Sequence, residues 1–440
     1  MQKQLAWIEP GNWLGIFGGG QLGRMFTHAA QARGYHVTVF ESEVACPAAQ
    51  AADRHLCPAD DQVNVHDLIE TFAQNCAAVT LEFENVPADW IRVAGRHTRT
   101  RPGSDFLELC QNRVREKSSL QAAGFPVTPF RPVKSVEELY AAATELGWPL
   151  IVKTSRSGYD GKGQVVIPKE AEAAGAWSTL GDEDCIAEMR IDFVAEVSML
   201  GARNARGEIV TYPLIENSHS RHILDVSRCP VRSELERFES AAREIVIGIA
   251  TNFQVEGLFC VEFFVDACRG LLVNEIAPRP HNSGHLTIEA FPSSQFDQQL
   301  RALCNLPLAS TKDFRPAAMA NLLGDLWFDS NDDSANASAA NTPLEANLLQ
   351  TSLTQTSLTL ARPLESIPPT ALSQGAHASS TARPHRLCWE RLFEAEQTYL
   401  HLYGKAQPRI GRKMGHLTCT ADTAEEAVER VLRLREALRY

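Results

Sequence analysis

The sequence predicts two architectures in one chain, a parallel α/β sheet at the front and a more tightly connected α+β region behind it. Three observations carry this. Over the first hundred residues short apolar runs alternate with amphipathic stretches, "WLGIF", "QLGRMFTHAAQARG", "HVTVFE" and "AAVTLE", the rhythm of strands covered by crossover helices. Beyond residue 150, strand-like runs follow one another closely, as in "QVVI", "DCIAEM", "FVAEVSML" and "EIVTYPLI". A length of 440 residues exceeds one ordinary domain and suits two or three.

Composition narrows the function classes. Hydrophobic residues make up 44% and charged residues 22%, enough for a globular core. Lys and Arg number 42 against 54 Asp and Glu, a formal charge of −12, which disfavours nucleic acid as a partner. The eleven cysteines include no Cys-x-x-Cys pair and no His/Cys cluster. That argues against a disulfide framework or structural zinc and fits a reducing cytosol. The opening "MQKQLAWIEPGNW" lacks a signal-peptide core and no run approaches membrane-spanning length, so a soluble cytoplasmic protein without a membrane partner is expected.

The elements follow in order. "GGGQLG", Gly18–Gly23, fits G-x-G-x-x-G between a strand and a helix, and Glu41 ends the next strand. Alone, this supports a dinucleotide enzyme, although any tight βα turn wants glycines and the helix N-terminus suits other phosphates too. "CQNRVREKSSLQAAG" reads as a helix stopped by Gly124 and Pro126, and "VEELYAAATELGWPLIVKT" as a helix leading to a strand at Leu150–Lys153. In "VKTSRSGYDGKGQVVI" a glycine-rich turn between two strands carries Lys153 and Lys162. The strand–loop–strand setting is not that of a P-loop and suits a flexible phosphate-binding flap. A long helix is expected from about Ser233 to Ala250.

"GLFCVEFFVDACRGLLVNEIAP" reads as a hairpin turning near Ala267–Gly270. A loop symmetric about Cys268 and Arg269 places Glu262 directly opposite Glu275, with Cβ atoms ~5 Å apart on one face. Two such carboxylates need a proton or a cation between them. Magnesium, held by one or two carboxylates together with substrate phosphates, answers that need, and Asn274 could add an oxygen if alternation did not turn it away. The stretch that follows, "NEIAPRPHNSGH", gathers a carboxylate, a guanidinium, imidazoles, amides and a hydroxyl where a strand ends. Residues 330–388, rich in Ser, Thr, Ala, Asn and Pro, read as a mobile insertion with no core of its own, and a helix from about Thr423 closes the chain.

"VKTSRSGYDGKGQ", "EVSMLGARN", "VEFFV" and "NEIAPRPHNSGH", in this order, resemble the ATP-grasp superfamily. With "GGGQLGRM", "LEFENVP" and "YGKAQPRIGRKMGHLT" they resemble one family within it, the ATPase subunits of phosphoribosylaminoimidazole carboxylase, or 5-(carboxyamino)imidazole ribonucleotide synthases. The resemblance covers nearly the whole chain outside the first ten residues and the 330–388 insertion. It implies a Rossmann-like pre-ATP-grasp domain over 1–113, an ATP-grasp domain over 114–310 and a small C-terminal substrate-phosphate domain over 311–440.

The resemblance further implies ATP-dependent carboxylation of 5-aminoimidazole ribonucleotide by bicarbonate through carboxyphosphate. It also implies Mg2+, two ions with ATP, a homodimer, and a separate mutase acting on the product. Arg113, Lys153, Gly158, Tyr159, Asp160, Gly161, Lys162, Gly163 and Gln164 match the triphosphate contacts. Glu188 falls where adenine is read, Glu196, His219 and Asn274 near the nucleotide, and Glu262 and Glu275 on the magnesium ligands. Arg279, His281 and Asn282, with Lys153, match the catalytic, bicarbonate end. Gly20, Gln21, Leu22, Glu82, Tyr159, Asp160, Asn282, Ser283, Lys405 and Arg412 match the ribonucleotide contacts. Arg409 and Lys413 stand in the same basic cluster as Lys405 and Arg412. Ser155, Ser157 and Met189 depart from the pattern at the flap and the adenine side. The presence of Lys153, Glu262, Glu275 and Arg279 together argues against a catalytically dead scaffold, and an NAD-dependent oxidoreductase leaves the Glu262/Glu275 hairpin unexplained.

Overall fold

The computed structural model describes residues 6–58, 64–156, 163–180, 184–328 and 384–439, and among them the strands form three sheets. The first holds β1 (Trp13–Phe17), β2 (His36–Phe40), β3 (Arg54–Leu56), β4 (Ala78–Leu81) and β5 (Arg99–Thr100), all parallel, in the order β3-β2-β1-β4-β5. Strands β1 and β4 are almost wholly buried because helices cover both faces, as parallel sheets require. The order reverses between β1 and β4. The crevice at their C-terminal ends, where Gly18 and Glu82 follow directly, is where open α/β sheets place ligands.

The second sheet is antiparallel and four-stranded: β6 (Phe130–Val133), β7 (Leu150–Thr154), β8 (Gln164–Ile167) and β9 (Cys185–Met189), in the order β6-β9-β7-β8. Lys153 and Gln164 are cross-strand partners at the mouth of the glycine-rich loop, so the expected strand–loop–strand setting is present. Gly163 sits at φ +68°, and a Cβ there would stand 2.7 Å from Thr154 Oγ1, so the loop closes only on glycine.

The third sheet is antiparallel. It comprises β10 (Phe193–Arg203), β11 (Ile209–Thr211), β12 (Ile215–Ser220), β13 (Ile223–Cys229), β14 (Gly257–Asp266), β15 (Gly270–Ala277), β16 (Ala317–Leu323), β17 (Thr398–Leu402) and β18 (Lys413–Thr420). Its order is β15-β14-β10-β12-β13-β16-β18-β17, with β11 beside β10. Period-2 alternation sorts its faces: Ala195, Val197 and Met199 pack with Phe259, Val261 and Phe263 into the main core, while Glu196, Ser198 and Glu262 face the other way.

Three expectations are corrected here. The helix expected over 233–250 is two, Ser233–Glu236 and Glu239–Asn252. Phe238 N–H bonds back to the Leu235 carbonyl, three residues away, and this tighter turn brings Phe238 against the core. A boundary at 310/311 does not separate sheets, because β16 and β18 extend the sheet that begins at β10. The helix Gln295–Cys304 also buries Phe296, Leu300 and Leu303 in the core of the N-terminal domain. Of the insertion expected over 330–388, residues 330–383 lie outside the described residues. Residues 384–388 are described, and Leu387 is buried in the C-terminal core. All eleven cysteines are free, and among the described residues no helix is long and apolar enough to cross a membrane.

One buried cation ties the first domain to the rest. Arg101 Nη1 donates to the carbonyls of Ala302 (2.8 Å) and Leu303 (2.7 Å), at the C-terminal end of the Gln295–Cys304 helix, and Nε donates to Glu256 (2.9 Å). A guanidinium there satisfies orphan carbonyls and opposes the negative end of the helix dipole. Arg101→Met is expected to destabilise the protein by about 2–4 kcal/mol. The measurement is thermal unfolding against wild type; an unchanged midpoint would show the latch is dispensable.

Candidate active site

The three sheets meet around one cavity of about 2460 Å³, larger than the ~300–1,000 Å³ of a single small-molecule pocket and roomy enough for more than one ligand. Its floor is the β14–β15 hairpin. Glu262 pairs directly with Glu275, as expected, but by a different route. The turn is centred on Cys268 rather than between Cys268 and Arg269. Asp266 pairs with Gly270, Asp266 Oδ1 accepts the amides of Cys268 (2.8 Å) and Arg269 (2.7 Å), and Gly270 takes φ +75°. That offset would misalign the glutamates, but a bulge between Phe263↔Val273 and Glu262↔Glu275 absorbs one residue, Asn274. The bulge also removes the objection from alternation. Asn274 borders the cavity, and its Oδ1 is buried without a hydrogen-bond partner.

Each carboxylate has its own cation-bearing partner. His281 Nε2 lies 2.8 Å from Glu262 Oε1, and Arg113 Nη1 donates to Glu275 Oε2 at 2.8 Å. Burial alone would raise the Glu262 carboxyl, but His281 outweighs it and holds the group at about 2. Nearby Glu116, in the first turn of the helix Arg113–Ala122, is pushed up to about 8 by burial and then by Glu275. Among the described residues no group of three or more His, Cys, Asp or Glu side chains could hold a metal by itself. Two carboxylates and an unpaired amide oxygen are hard donors that fit magnesium arriving with a phosphate ligand.

Lys153, at the end of β7, donates to Glu188 Oε2 at 2.8 Å, and Lys117 Nζ stands 3.2 Å from Glu188 Oε1. Burial would raise Glu188, yet Lys117 and Lys153 override it and keep the group near 2. Glu188, expected where adenine is read, is buried with its carboxylate held between these two ammonium groups. Val166, Ile191, Phe193, Val194 and Phe264 are apolar parts of the cavity lining, with the Phe193 and Phe264 rings stacked at 4.8 Å. Met189 Sδ lies 3.5 Å from Arg269 Nη2, and Ser155 is buried with its carbonyl accepting the Arg113 amide at 2.9 Å. Glu196 and His219 both line the cavity and bond to each other at 2.5 Å. Gln164 lines it as well. Gly158, Tyr159, Asp160, Gly161 and Lys162, with Ser157, lie outside the described residues.

The N-terminal glycine turn is not a pyrophosphate cradle. Its amides are taken: Gly19 N donates to Glu41 (3.0 Å), and Gly20 and Gly23 donate to Glu82 (2.6 and 3.0 Å). Two carboxylates at the helix N-terminus already supply the negative charge that a dinucleotide would bring. Gln21, Leu22 and Glu82 line the cavity.

Arg279 Nε donates to Glu84 and Nη1 to the Pro280 carbonyl (2.9 Å). Burial would lower the guanidinium's affinity for its proton; Glu84 more than compensates and raises it. Asn282 borders the cavity with both amide atoms buried and unbonded, the mark of a side chain waiting for a ligand. Ser283, expected as a substrate contact, is fully buried, and its hydroxyl lies 2.9 Å from His281 Nδ1. At the far end Lys405, Arg409, Arg412 and Lys413 line the same cavity. Lys405 Nζ donates to the Lys413 carbonyl (2.8 Å), and Arg412 Nη1 to the Gln407 carbonyl (3.0 Å). Glu84, Glu116 and Lys117 were not among the expected site residues. Glu84 lay within reach of the pattern, two positions after Glu82 in "LEFENVP", whereas Glu116 and Lys117 sit in a helix polar enough to pass for surface.

Behind this end His401 stacks on His416 with ring centroids 4.5 Å apart, and His285 packs tilted against His416 at 4.8 Å. Burial keeps His285 and His416 far below the usual imidazole range. Both therefore stay neutral in the fold, while in the unfolded chain they take up protons below ~6.5. The unfolded state then binds more protons as pH falls, so stability drops between about pH 7 and 5, by up to about 1.4 kcal/mol per pH unit for each imidazole. His219, raised by its bond to Glu196, acts oppositely: its contribution is present below ~6.5 and lost as pH rises through its folded pKa. His416→Gln should make the thermal midpoint fall less, or rise more, from pH 7 to 5 than in wild type; equal slopes in both proteins would contradict a buried neutral His416.

Comparison with known proteins agrees with this geometry. The sequence matches the ribonucleotide synthetase pre-ATP-grasp domain over residues 12–111, the ATP-grasp domain over 118–296 and the phosphoribosylaminoimidazole carboxylase C-terminal domain over 375–430. It is 40% identical to the N5-carboxyaminoimidazole ribonucleotide synthase of Bacillus subtilis (strain 168) over 325 residues, 74% of this chain and 84% of that protein. It is 33% identical to the synthase of Staphylococcus haemolyticus (strain JCSC1435) over 430 residues, 97% of each. The fold matches the crystal structure of an N5-carboxyaminoimidazole ribonucleotide synthetase in its ADP complex with a TM-score of 0.78, at 33% identity over 98% of both chains. It matches the Staphylococcus aureus synthetase complexed with ADP with a TM-score of 0.77, at 31% identity over 98% of this chain and 99% of that one. The order of the three matched segments, the identity along the chain and the shared fold agree: the chain belongs to the N5-carboxyaminoimidazole ribonucleotide synthase family of ATP-grasp enzymes.

Proposed function

We propose that this chain joins bicarbonate to the exocyclic amine of 5-aminoimidazole ribonucleotide at the expense of ATP, giving 5-(carboxyamino)imidazole ribonucleotide, ADP and phosphate for purine biosynthesis. The observation that carries the reading is the continuity of one cavity from the Glu262/Glu275 floor to the Lys405/Arg412 end. In the first stage a bicarbonate oxygen attacks the γ-phosphorus and the bond to ADP breaks, forming carboxyphosphate. In the second the amine nitrogen attacks the carboxyl carbon, phosphate leaves and the amine gives up a proton. Both stages ask chiefly for alignment and charge neutralisation.

Residues divide along that path. Arg113 and Lys153, with Gly163, Gln164 and the loop from Gly158 to Lys162, take the triphosphate, and the apolar lining at Phe193 and Phe264 takes adenine. Glu262, Glu275 and Asn274 would hold magnesium, which when bound would neutralise the charge of the phosphate groups. Arg279 presents a planar guanidinium, its Nε edge fixed by Glu84, to bicarbonate or carboxyphosphate, with His281 and Asn282 beside it. Gln21, Leu22 and Glu82 face the ribonucleotide, and Lys405 and Arg412 its phosphate. A cytosolic homodimer handing its product to a separate mutase rests on the family resemblance alone. So do the three domain ranges, amended by the shared sheet.

The test is ADP release by purified protein with Mg-ATP, with bicarbonate and the ribonucleotide supplied singly and together. Turnover that needs both, and falls at least ~100-fold in Glu275→Gln, is expected. ATP turnover indifferent to the ribonucleotide would reject this acceptor. Arg412→Ala should raise the KM for the ribonucleotide by roughly 10–100-fold and leave that for ATP unchanged; an equal rise in both would place Arg412 elsewhere.

A further inference from the structure

The chain that carries Lys405 and Arg412 has little packing to hold it in place. It runs over residues 403–412 between the end of β17 and the start of β18, and Ala406, Gln407, Arg409 and Ile410 are exposed, the isoleucine at 40%. A segment so poor in buried apolar contacts keeps its shape through hydrogen bonds or not at all. Those bonds are made at both ends. Gln50 of the N-terminal domain donates from Nε2 to the Gly404 carbonyl (2.9 Å). At the other end the chain reverses in a turn closed by the Arg412 amide on the Arg409 carbonyl (2.9 Å), with Gly411 at φ +73° as its third residue, a position that glycine suits. This turn lies on the end of β16, where Leu323 pairs with Lys413. The Gly324 amide donates to the Arg412 carbonyl (2.8 Å), and a Cβ on Gly324 would stand 2.0 Å from the Arg409 carbonyl oxygen, so only glycine admits the turn there. The next residue, Asp325, accepts the Gly411 amide on Oδ2 (2.7 Å) and Arg221 Nη2, from the turn between β12 and β13, on Oδ1 (3.2 Å).

We propose that Asp325 is a positioning residue for this end of the site: by fixing the Gly411 amide it holds the Arg409–Arg412 turn, and with it the Arg412 guanidinium, where an anionic group of the substrate is taken. This rests on the reading of the Lys405/Arg412 end as the seat of the ribonucleotide phosphate. Asp325 lines the cavity beside Arg409, Gly411 and Arg412. A carboxylate on the wall of a space that takes a phosphate costs binding by repulsion, so on charge alone it is misplaced. Its use lies in the backbone. An ionised carboxylate makes a stronger hydrogen bond to a backbone N–H than a neutral acceptor does, and both oxygens of Asp325 are spent on donors. Arg221 adds little support, since its side chain is 69% exposed. Arg412 is one residue from the bonded amide, its carbonyl is held by Gly324 and its Nη1 donates to the Gln407 carbonyl, so turn and guanidinium move as one. Lys405 follows the separately anchored Gly404. Loss of Asp325 therefore loosens Arg412 and leaves Lys405 in place.

Asp325→Ala is expected to raise the KM for the ribonucleotide by roughly 10–100-fold and to leave that for ATP within about twofold. Asp325→Asn, which keeps an oxygen for the Gly411 amide, should recover most of the loss. Added to Arg412→Ala, Asp325→Ala should cost less than about threefold more, because both act through one guanidinium. A fully multiplicative loss in the double variant, an equal rise in the KM for ATP, or a loss that Asp325→Asn leaves in place would overturn the proposal. Amide hydrogen exchange on the unliganded wild-type protein needs neither turnover nor a variant that folds. There the Gly411 amide should exchange at least ~10-fold more slowly than an open chain, and exchange at the open-chain rate would overturn the latch. A protected Gly411 without wild-type turnover on the ribonucleotide would reject the proposed reaction and this role in it. Turnover with an unchanged KM in Asp325→Ala would reject the role alone.

Discussion

Two carboxylates facing each other on neighbouring strands are the constraint around which the rest of this site is arranged. At a spacing of ~5 Å and an effective dielectric near 20, Glu262 and Glu275 would repel by roughly 3 kcal/mol. The fold answers with a positive or hydrogen-bearing group closer to each carboxylate than the other carboxylate is: His281 at 2.8 Å from Glu262 and Arg113 at 2.8 Å from Glu275. These partners come from different elements, one from the turn after β15 and one from the start of the Arg113–Ala122 helix. Holding the glutamates opposed therefore draws both elements over the hairpin, and the cavity is the space between them.

The same device recurs around the cavity. Lys153 and Lys117 share Glu188, Arg279 is held by Glu84, and Glu82 and Glu41 occupy the amides of the glycine turn. Arg113, Lys153 and Arg279 are each oriented by a carboxylate before any ligand arrives, and Lys405 and Arg412 by backbone carbonyls, so little reorganisation is left for the moment of reaction. Charges paired in this way tolerate burial where single ones would not. A site of this kind suits anions such as triphosphate, bicarbonate and a ribonucleotide phosphate, whose negative charge can take over from the carboxylates. It does not suit a dinucleotide at the glycine turn, where no amide among Gly19, Gly20 and Gly23 is free to receive one.

Much of this was legible in the residues. Period-2 alternation, turn glycines and the β–α–β rhythm gave the sheets, because those signals are local. The opposition of Glu262 and Glu275 was also legible, although through two offsets that cancel: the turn is shifted by one position and the bulge at Asn274 shifts it back. Pattern alone could not reach the interior of the Arg113–Ala122 helix. Its run "RVREKSSLQA" has the polarity of a surface helix, yet Glu116 and Lys117 are buried, Lys117 against Glu188 of β9 and Glu116 under the Ile276 amide of β15. Glu84 stands in the open in the sequence, two positions after Glu82, but its role is set by Arg279, 195 positions away. The join between β13 and β16 across the expected boundary is equally non-local. What the sequence conceals here is pairing across the fold, not composition or periodicity.

The central claim is that the opposed glutamates form the seat for magnesium carried by ATP. Its most direct test is calorimetric ATP binding with and without Mg2+ in wild type, Glu262→Gln and Glu275→Gln. Wild type should bind ATP at least about tenfold more tightly with the metal, a difference of ~1.4 kcal/mol. Each glutamine variant should lose most of that difference while binding metal-free ATP as well as wild type or better, one negative charge having been removed. A metal-dependent gain that survives intact in both variants would contradict the account.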